Sequence, residues 1–587
     1  MSNKRAPYTN EHIESQLTAA EVLTTLGYQE LTPDEALAMR GSFNNVLLES
    51  VLEAQLETIN RIESYGKVRP VPEGTIKEAV QKLKKITKSN PVEDNKRVYE
   101  LLTLGESFPV TLTRDGETQK RSHTIQYIDW EHIENNVFHF VCEFKVEKQK
   151  DGMEPETFEN TGITDEQFDR CAQQPRDVKH AIPDIVLFIN GIPLGVIECK
   201  HSSVPIDNAI SQMIRNQGED YIPQLFRYAQ IVLAVNRTAA KYATAGTKKK
   251  FWNIWKEQDE AFLSEYLEHA IDDREATVQD MILISLFHPK RLLELMRFFI
   301  LFDNNVKKIA RYQQYFAVKA IIKTVKERDS NGDRQSGVIW HTQGSGKSLT
   351  MVMLSKYIEY EFADSEPRVI IVTDRINLDK QIHGTFINSG IRAAKASTGR
   401  HLITLMEKGS DQVITTLVHK FDTASTYDKV FDSQNLFILV DESHRSQYGE
   451  LHFKMKKVFP NACYVGFTGT PLMKKEKSTM HKFGKLIHKY TISDGVRDNV
   501  IVPLIYEGRL VEQQVNSKVI DDILESRTKT LSDEQREQLK DKWSQMSTIG
   551  SSKQRIALIV FDITRHFTET FKNDESLFKG MVVASSR

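Results

Sequence analysis

From residue 336 onward, short β-branched runs recur between helical stretches: SGVIWHT, RVIIVTD, QVITTLV, LFILVDE and CYVGFTG. The runs are almost continuously apolar rather than alternating, the mark of strands buried on both faces, and the intervening helices supply the crossovers that parallel strands require. This half of the chain is therefore expected to be α/β, a parallel sheet with helices on both sides. The full 587 residues exceed what one hydrophobic core organises, so about three or four domains are expected.

The first half reads differently. Apolar spacing predicts a helix over 9–27 closed by Gly27, a second over 42–63, and a basic helical segment from Lys77 to Lys88 whose charges read as a solvated face. Strand-like runs SHTIQYIDW and NVFHFVCEFKV between 106 and 145 predict a sheet. The stretch AIPDIVLFINGIPLGVIECKH, 181–201, continues it as a hairpin turning near Asn190-Gly191. A helix near 206–218 and the strand YAQIVLAVN follow. In TKKKFWNIWKEQDE, a run of three lysines and the indoles of Trp252 and Trp255 either neutralise and stack on a nucleic acid or close a domain edge with two packing indoles. Mostly helical sequence runs to about 325, including LLELMRFFILF, 292–302, read as a core helix because Glu294 and Arg297 interrupt it.

Composition excludes some classes. With 78 basic and 80 acidic residues and a formal charge of −2, no single-sign field covers the molecule, so a nucleic acid would be held by local clusters. The four cysteines, Cys142, Cys171, Cys199 and Cys463, form no CxxC pair, which argues against zinc or a disulfide framework and suits a reducing cytoplasm. The start, MSNKRAPYTNEHIE, has no apolar segment of a signal peptide.

Two constellations carry chemistry. SGVIWHT leads through QGSGKS into a helix, so backbone N–H groups of Thr342, Gln343, Gly344, Ser345 and Gly346 can wrap a triphosphate at a helix N-terminus. Lys347 would reach the β- and γ-phosphates and Ser348 would hold magnesium, although His341 stands where the consensus loop has glycine. About ninety residues on, LFILVDESH delivers Asp441 to hold the metal and Glu442 to orient and deprotonate the attacking water. In the hairpin, Glu198 and Lys200 point to one side and the turn brings Asp184 back beside them. Two carboxylates with a lysine either bind magnesium for phosphodiester hydrolysis or form an ordinary salt-bridged hairpin edge.

The second half resembles superfamily 2 helicases and translocases, with motifs in the expected order: Gln314 as the adenine-reading glutamine, HTQGSGKS as motif I, VTDRINLDKQ as Ia, ITTLVHKF as Ib, DESH as II and GFTGTP as III. The resemblance implies DNA phosphate contacts at Thr373, Arg375, Thr415 and Lys420, and coupling of hydrolysis to movement through His444, Thr468 and Thr470. Pro183-Asp184 with Glu198-Cys199-Lys200 resembles the PD-(D/E)xK nuclease motif, which implies a metal held by Asp184, Glu198 and the Cys199 carbonyl, with Glu14 approaching from the first helix. The supporting glutamine-tyrosine element fits Gln217 and Tyr221 literally, while distance from Lys200 suits Gln212 with Asn216 in place of tyrosine.

Together with MRGSFNNVLLESVLEAQLETIN, these motifs resemble the R subunit of type I restriction-modification enzymes. That family implies a PD-(D/E)xK nuclease-like α/β domain over 1–260, a RecA-like parallel-sheet motor with a helical linker over 261–490, and the beginning of a second motor domain over 491–587. It implies ATP and Mg2+ as cofactors, and double-stranded DNA with methyltransferase and specificity subunits as partners, without a membrane. The terminal SLFKGMVVASSR resembles motif IV, so an N-terminal fragment that binds ATP weakly and turns it over poorly is expected. Two rival classes are a self-sufficient helicase–nuclease of DNA repair and a DNA motor whose PD…ECK triad is only structural.

Overall fold

Asn190 and Gly191 adopt positive φ angles of 51° and 81°, the pairing that a two-residue type I′ turn demands, and around this turn the N-terminal sheet is built. A computed structural model describes residues 15–64, 67–86, 90–114, 117–149, 179–271, 274–303, 306–441, 448–469, 483–509, 525–526, 528–544, 553–571 and 579–583. The sheet runs β1 (Gln29–Leu31), β2 (Phe138–Cys142), β3 (Ile185–Ile189), β4 (Ile192–Cys199), β5 (Ile231–Val235) and β6 (Ala240–Ala243), side by side in that order. Pairs β1/β2 and β4/β5 are parallel, the others antiparallel. Strands β3 and β4 are buried along their whole length, which explains their unbroken apolar sequence. Pro193 lies at the register shift between Pro193 and Gly195, one of the few places a strand tolerates proline.

Local competition reshapes several expected elements. The helix read over 42–63 is confined to Glu49–Ile59 and is followed by a hairpin, Arg61–Ser64 with Lys67–Pro70. Asn45 accounts for the late start: its side chain accepts from Leu47 N and donates to Arg40 O, an alternative to helical bonding. SHTIQYIDW stays extended only to Ile125, because Asn60 bonds both the N–H and the C=O of Gln126. Glu106–Arg114 and Glu117–Ile125 form a separate two-stranded ribbon rather than continuing the hairpin's sheet; only Phe138–Cys142 does. The segment 292–302 divides: a helix, Pro289–Phe298, gives way to the strand Ile300–Asp303. The first helix is described over Leu17–Thr25 and ends as expected at Gly27, φ 93°, with Tyr28 N–H donating to Leu23 O.

The second sheet is wholly parallel, with β7 (Gly337–His341), β8 (Arg368–Thr373), β9 (Ala393–Lys395), β10 (Val413–Leu417), β11 (Leu436–Asp441), β12 (Cys463–Thr468) and β13 (Lys485–Tyr490) in spatial order 9-10-8-11-12-7-13. Alternate residues of β8 enter opposite cores: Val369 and Ile371 one, Ile370 and Val372 the other. That is the two-sided burial the sequence implied.

The chain forms two compact units, Met1–Ile501 and Val502–Arg587. In the first, one continuous core joins both sheets. The Trp segment belongs to this packing. Trp252 is buried, Trp255 lies against Tyr242, Tyr315 and Phe316, and Asn253 pairs with Tyr242, so the indoles close a domain edge.

Candidate active sites

The hairpin register pairs Ile185 with Ile197, so Asp184 and Glu198 arrive at one end together. Asp184 Oδ2 accepts Cys199 N–H at 2.7 Å and Oδ1 accepts from Gln16 Nε2 at 2.8 Å. Lys200 Nζ stands 2.8 Å from Glu198 Oε1, 2.9 Å from the Cys199 carbonyl and 3.8 Å from Asp184 Oδ2. These three residues supply the oxygens assigned by the family resemblance to a divalent cation, and here they surround an ammonium. Glu198 is fully buried, and its Oε2 has no hydrogen-bond partner. A buried, orphaned carboxylate oxygen beside a second carboxylate and a carbonyl fits a hard cation. Among the described residues, this cluster included, no three or more His, Cys, Asp or Glu side chains gather as a metal-binding group, so the Cys199 carbonyl would have to serve as a ligand beside the two carboxylates. Burial, reinforced by the charge of Asp184, raises the Cys199 thiol well above its ordinary range, so it is no nucleophile.

Glu14 lies outside the described residues. Gln16, which the sequence did not single out, makes the contact from the first helix; its partner is 168 positions away, so no local pattern announces it. Gln217 bonds Met213 O and accepts Gly246 N–H, a structural use. Tyr221 carries Lys148 and Arg215 over its ring. Gln212 sits half-buried on the helix Ile206–Asn216.

In the second sheet, Gly344 and Gly346 take φ angles of 85° and 91° as the chain leaves β7 and enters the helix Lys347–Glu361. The positive φ of Gly346 favours glycine, and a Cβ there would lie 2.5 Å from Gln314 Nε2, so the amide end of Gln314 would have to move aside for a larger residue. Gln314 Nε2 donates to Gly346 O and its Oε1 accepts Arg311 N–H. Thr342 N–H donates to Tyr490 O, and Ser345 is buried with an unpartnered hydroxyl, while Gln343 is exposed and Ser348 half-buried. Lys347 Nζ lies 3.3 Å from the His341 carbonyl, and a Cβ on Gly469 would come within 3.0 Å of it, so motif III abuts the loop lysine. Asp441 ends β11, separated from β7 by β12 alone. Glu442, His444 and Thr470 lie outside the described residues. Thr373, Thr415 and Thr468 are fully buried, and the hydroxyls of the first two have no partner. Arg375 is exposed, and Lys420 donates to the Ala396 carbonyl.

A family model of the N terminus of type I restriction enzyme R proteins matches residues 8–157 and 166–251, and a model of SWI2/SNF2 ATPases matches 313–537. The type I restriction enzyme HindI endonuclease subunit of Haemophilus influenzae is 29% identical over 98% of this chain and 53% of its own. A Methanocaldococcus jannaschii protein, provisionally named the type I restriction enzyme MjaIXP endonuclease subunit, is 29% identical over 100% of this chain and 54% of its own. The chain thus spans about half the length of these relatives. The chain is thus similar over 8–157 and 166–251 to the N terminus of type I restriction enzyme R proteins and, after it, over 313–537 to SWI2/SNF2 ATPases.

Proposed function

We propose that the chain is the nuclease and motor portion of a type I restriction subunit: it hydrolyses ATP to draw in double-stranded DNA and cuts unmethylated foreign DNA away from the recognition site. Methyltransferase and specificity subunits would supply recognition, in a reducing cytoplasm. The carrying observation is that one compact unit contains both the Asp184, Glu198 and Lys200 cluster, with its orphaned Glu198 Oε2, and a glycine-pinned loop presenting Lys347. The domain limits 1–260, 261–490 and 491–587 belong to the same proposal.

At the nuclease site, Asp184 is held by Gln16 and by the Cys199 amide, so it meets a cation without reorganising. Mg2+ held by Asp184, Glu198 and the Cys199 carbonyl would polarise the scissile phosphate and acidify water. Lys200, displaced from those oxygens, steadies the nucleophile or the developing charge. In the motor, residues 342–346 would cradle the phosphates of ATP, Gln314 would read adenine, Lys347 would neutralise the terminal phosphates, Ser348 and Asp441 would hold magnesium, and Glu442 would orient and deprotonate the attacking water. Arg375 is exposed and open to a DNA phosphate, whereas Thr373 and Thr415 need their strand ends to loosen first. Gln212, or Gln217 with Tyr221, completes the nuclease support, and His444, Thr468 and Thr470 transmit hydrolysis. In the assembled complex, unmethylated plasmid is expected to stimulate ATP turnover and methylated plasmid not to; equal turnover with both would contradict a restriction role.

A second proposed reading, a DNA motor with a merely structural triad, draws on the ammonium already seated on Glu198 and Cys199. It predicts that Lys200→Ala alters stability but leaves cutting by the complex intact.

A further inference from the structure

His341 occupies the first position of the phosphate-binding loop, and no step above uses its side chain. Its ring is fully buried. Nε2 lies 2.9 Å from His488 Nδ1 on the adjacent strand β13, and His488 Nε2 lies 2.9 Å from Gln258 Oε1. His341 pairs in register with Tyr490, so His341, His488 and Tyr490 share one face of the sheet. An amide oxygen only accepts, so His488 Nε2 carries its proton and His488 Nδ1 is a bare acceptor. His341 Nε2 is then the donor, and His341 Nδ1 is the bare nitrogen, in agreement with its lack of a partner. A buried acceptor without a partner is somewhat better tolerated than a buried N–H without one.

A second strut runs beside this one. Lys256, Tyr312 and Tyr490 all bond Asp498, and the Tyr490 carbonyl takes the Thr342 N–H. Lys256 and Gln258 therefore brace the two positions, 341 and 342, at which the loop departs from β7. The braced His341 is also the residue whose carbonyl accepts from Lys347.

We propose that Gln258 and His488 are positioning residues for the phosphate-binding loop: they fix the tautomer and place of His341 and so set Lys347 for a triphosphate. This rests on the assignment of 342–348 to ATP. Without the His488 acceptor, the His341 N–H becomes a buried donor with nothing to bond, and the ring and the loop's first residue must shift.

The test is the affinity of the whole chain for a fluorescent ATP analogue with magnesium, together with thermal melting without nucleotide. His488→Leu is expected to weaken binding about tenfold, the scale of one lost buried hydrogen bond. His488→Asn places an amide oxygen where Nδ1 stood and is expected to restore affinity to within about threefold. Gln258→Leu, distant from the nucleotide and on an exposed residue, is expected to weaken binding by about threefold with an unchanged melting temperature, which keeps the test decisive should His488→Leu misfold. Wild-type affinity in both leucine variants overturns the proposal, as does an asparagine variant no better than leucine. Equal binding by wild type and Lys347→Ala would instead overturn the nucleotide assignment itself.

Discussion

Lys200 is the residue on which the proposed nuclease chemistry turns, because its ammonium lies against the oxygens of Glu198, Cys199 and Asp184 that would hold a cation. Removing one partner of a buried ion pair typically costs about 3–5 kcal/mol, and Lys200 is 12% exposed and Glu198 0%. Lys200→Ala is therefore expected to lower unfolding free energy by about 3 kcal/mol in a denaturant titration, and magnesium to recover part of the loss by taking the same oxygens. A loss indifferent to magnesium would contradict a cation site. The meeting of Asp184, Glu198 and Lys200 was legible in the sequence because period 2 and a two-residue turn fix what a hairpin's ends bring together. The Gln16 contact was not, because only the packing of the whole domain creates it.

At the scale of elements, Gly191 shows how a turn is pinned from outside. Its φ is 81°, and a Cβ there would fall 2.6 Å from the Leu48 carbonyl, whose own N–H donates to Gly191 O. Gly191→Ala is expected to destabilise the protein by at least about 2 kcal/mol, read by chemical denaturation; an unchanged midpoint would contradict this turn. Strand β13 supplies a pH dependence. Burial holds His488 at about 4 and His341 well below its ordinary value, so both stay neutral in the folded chain. Unfolded histidines protonate near 6.5, so the unfolded state binds more protons below that pH, and stability falls as pH drops from about 6.5 toward 4. For His488 the loss amounts to up to roughly 3 kcal/mol over that window. His488→Asn should flatten the profile in denaturation curves at pH 7.5 and 5, and an equally steep variant would refute the assignment. The parallel strands were legible because burial on both faces leaves continuous apolar runs. The helix over 42–63 was over-read because Asn45 and Asn60 spend their side chains on backbone groups, which hydrophobic spacing does not record.

At the scale of the molecule, the two sheets of unit Met1–Ile501 share a core and a set of buried polar ties. The Lys307 ammonium is enclosed against Asn95 and Gln230, and burial drives its pKa well below the usual lysine range. Tyr242 of β6 donates to Ala310 O at 2.6 Å, two residues before the helix Tyr312–Lys326 that carries Gln314. Residues 15–501 are accordingly expected to melt in one cooperative transition, and separate transitions for the two sheets would contradict the shared core. The central claim is that cutting and ATP turnover are distinct chemistries in one chain. The most direct test measures both together on an unmethylated circular plasmid, in the assembled restriction complex, for wild type, Lys200→Ala and Lys347→Ala. The account predicts that Lys200→Ala stops cutting while ATP turnover persists, and that Lys347→Ala stops both; cutting that survives Lys200→Ala would contradict it.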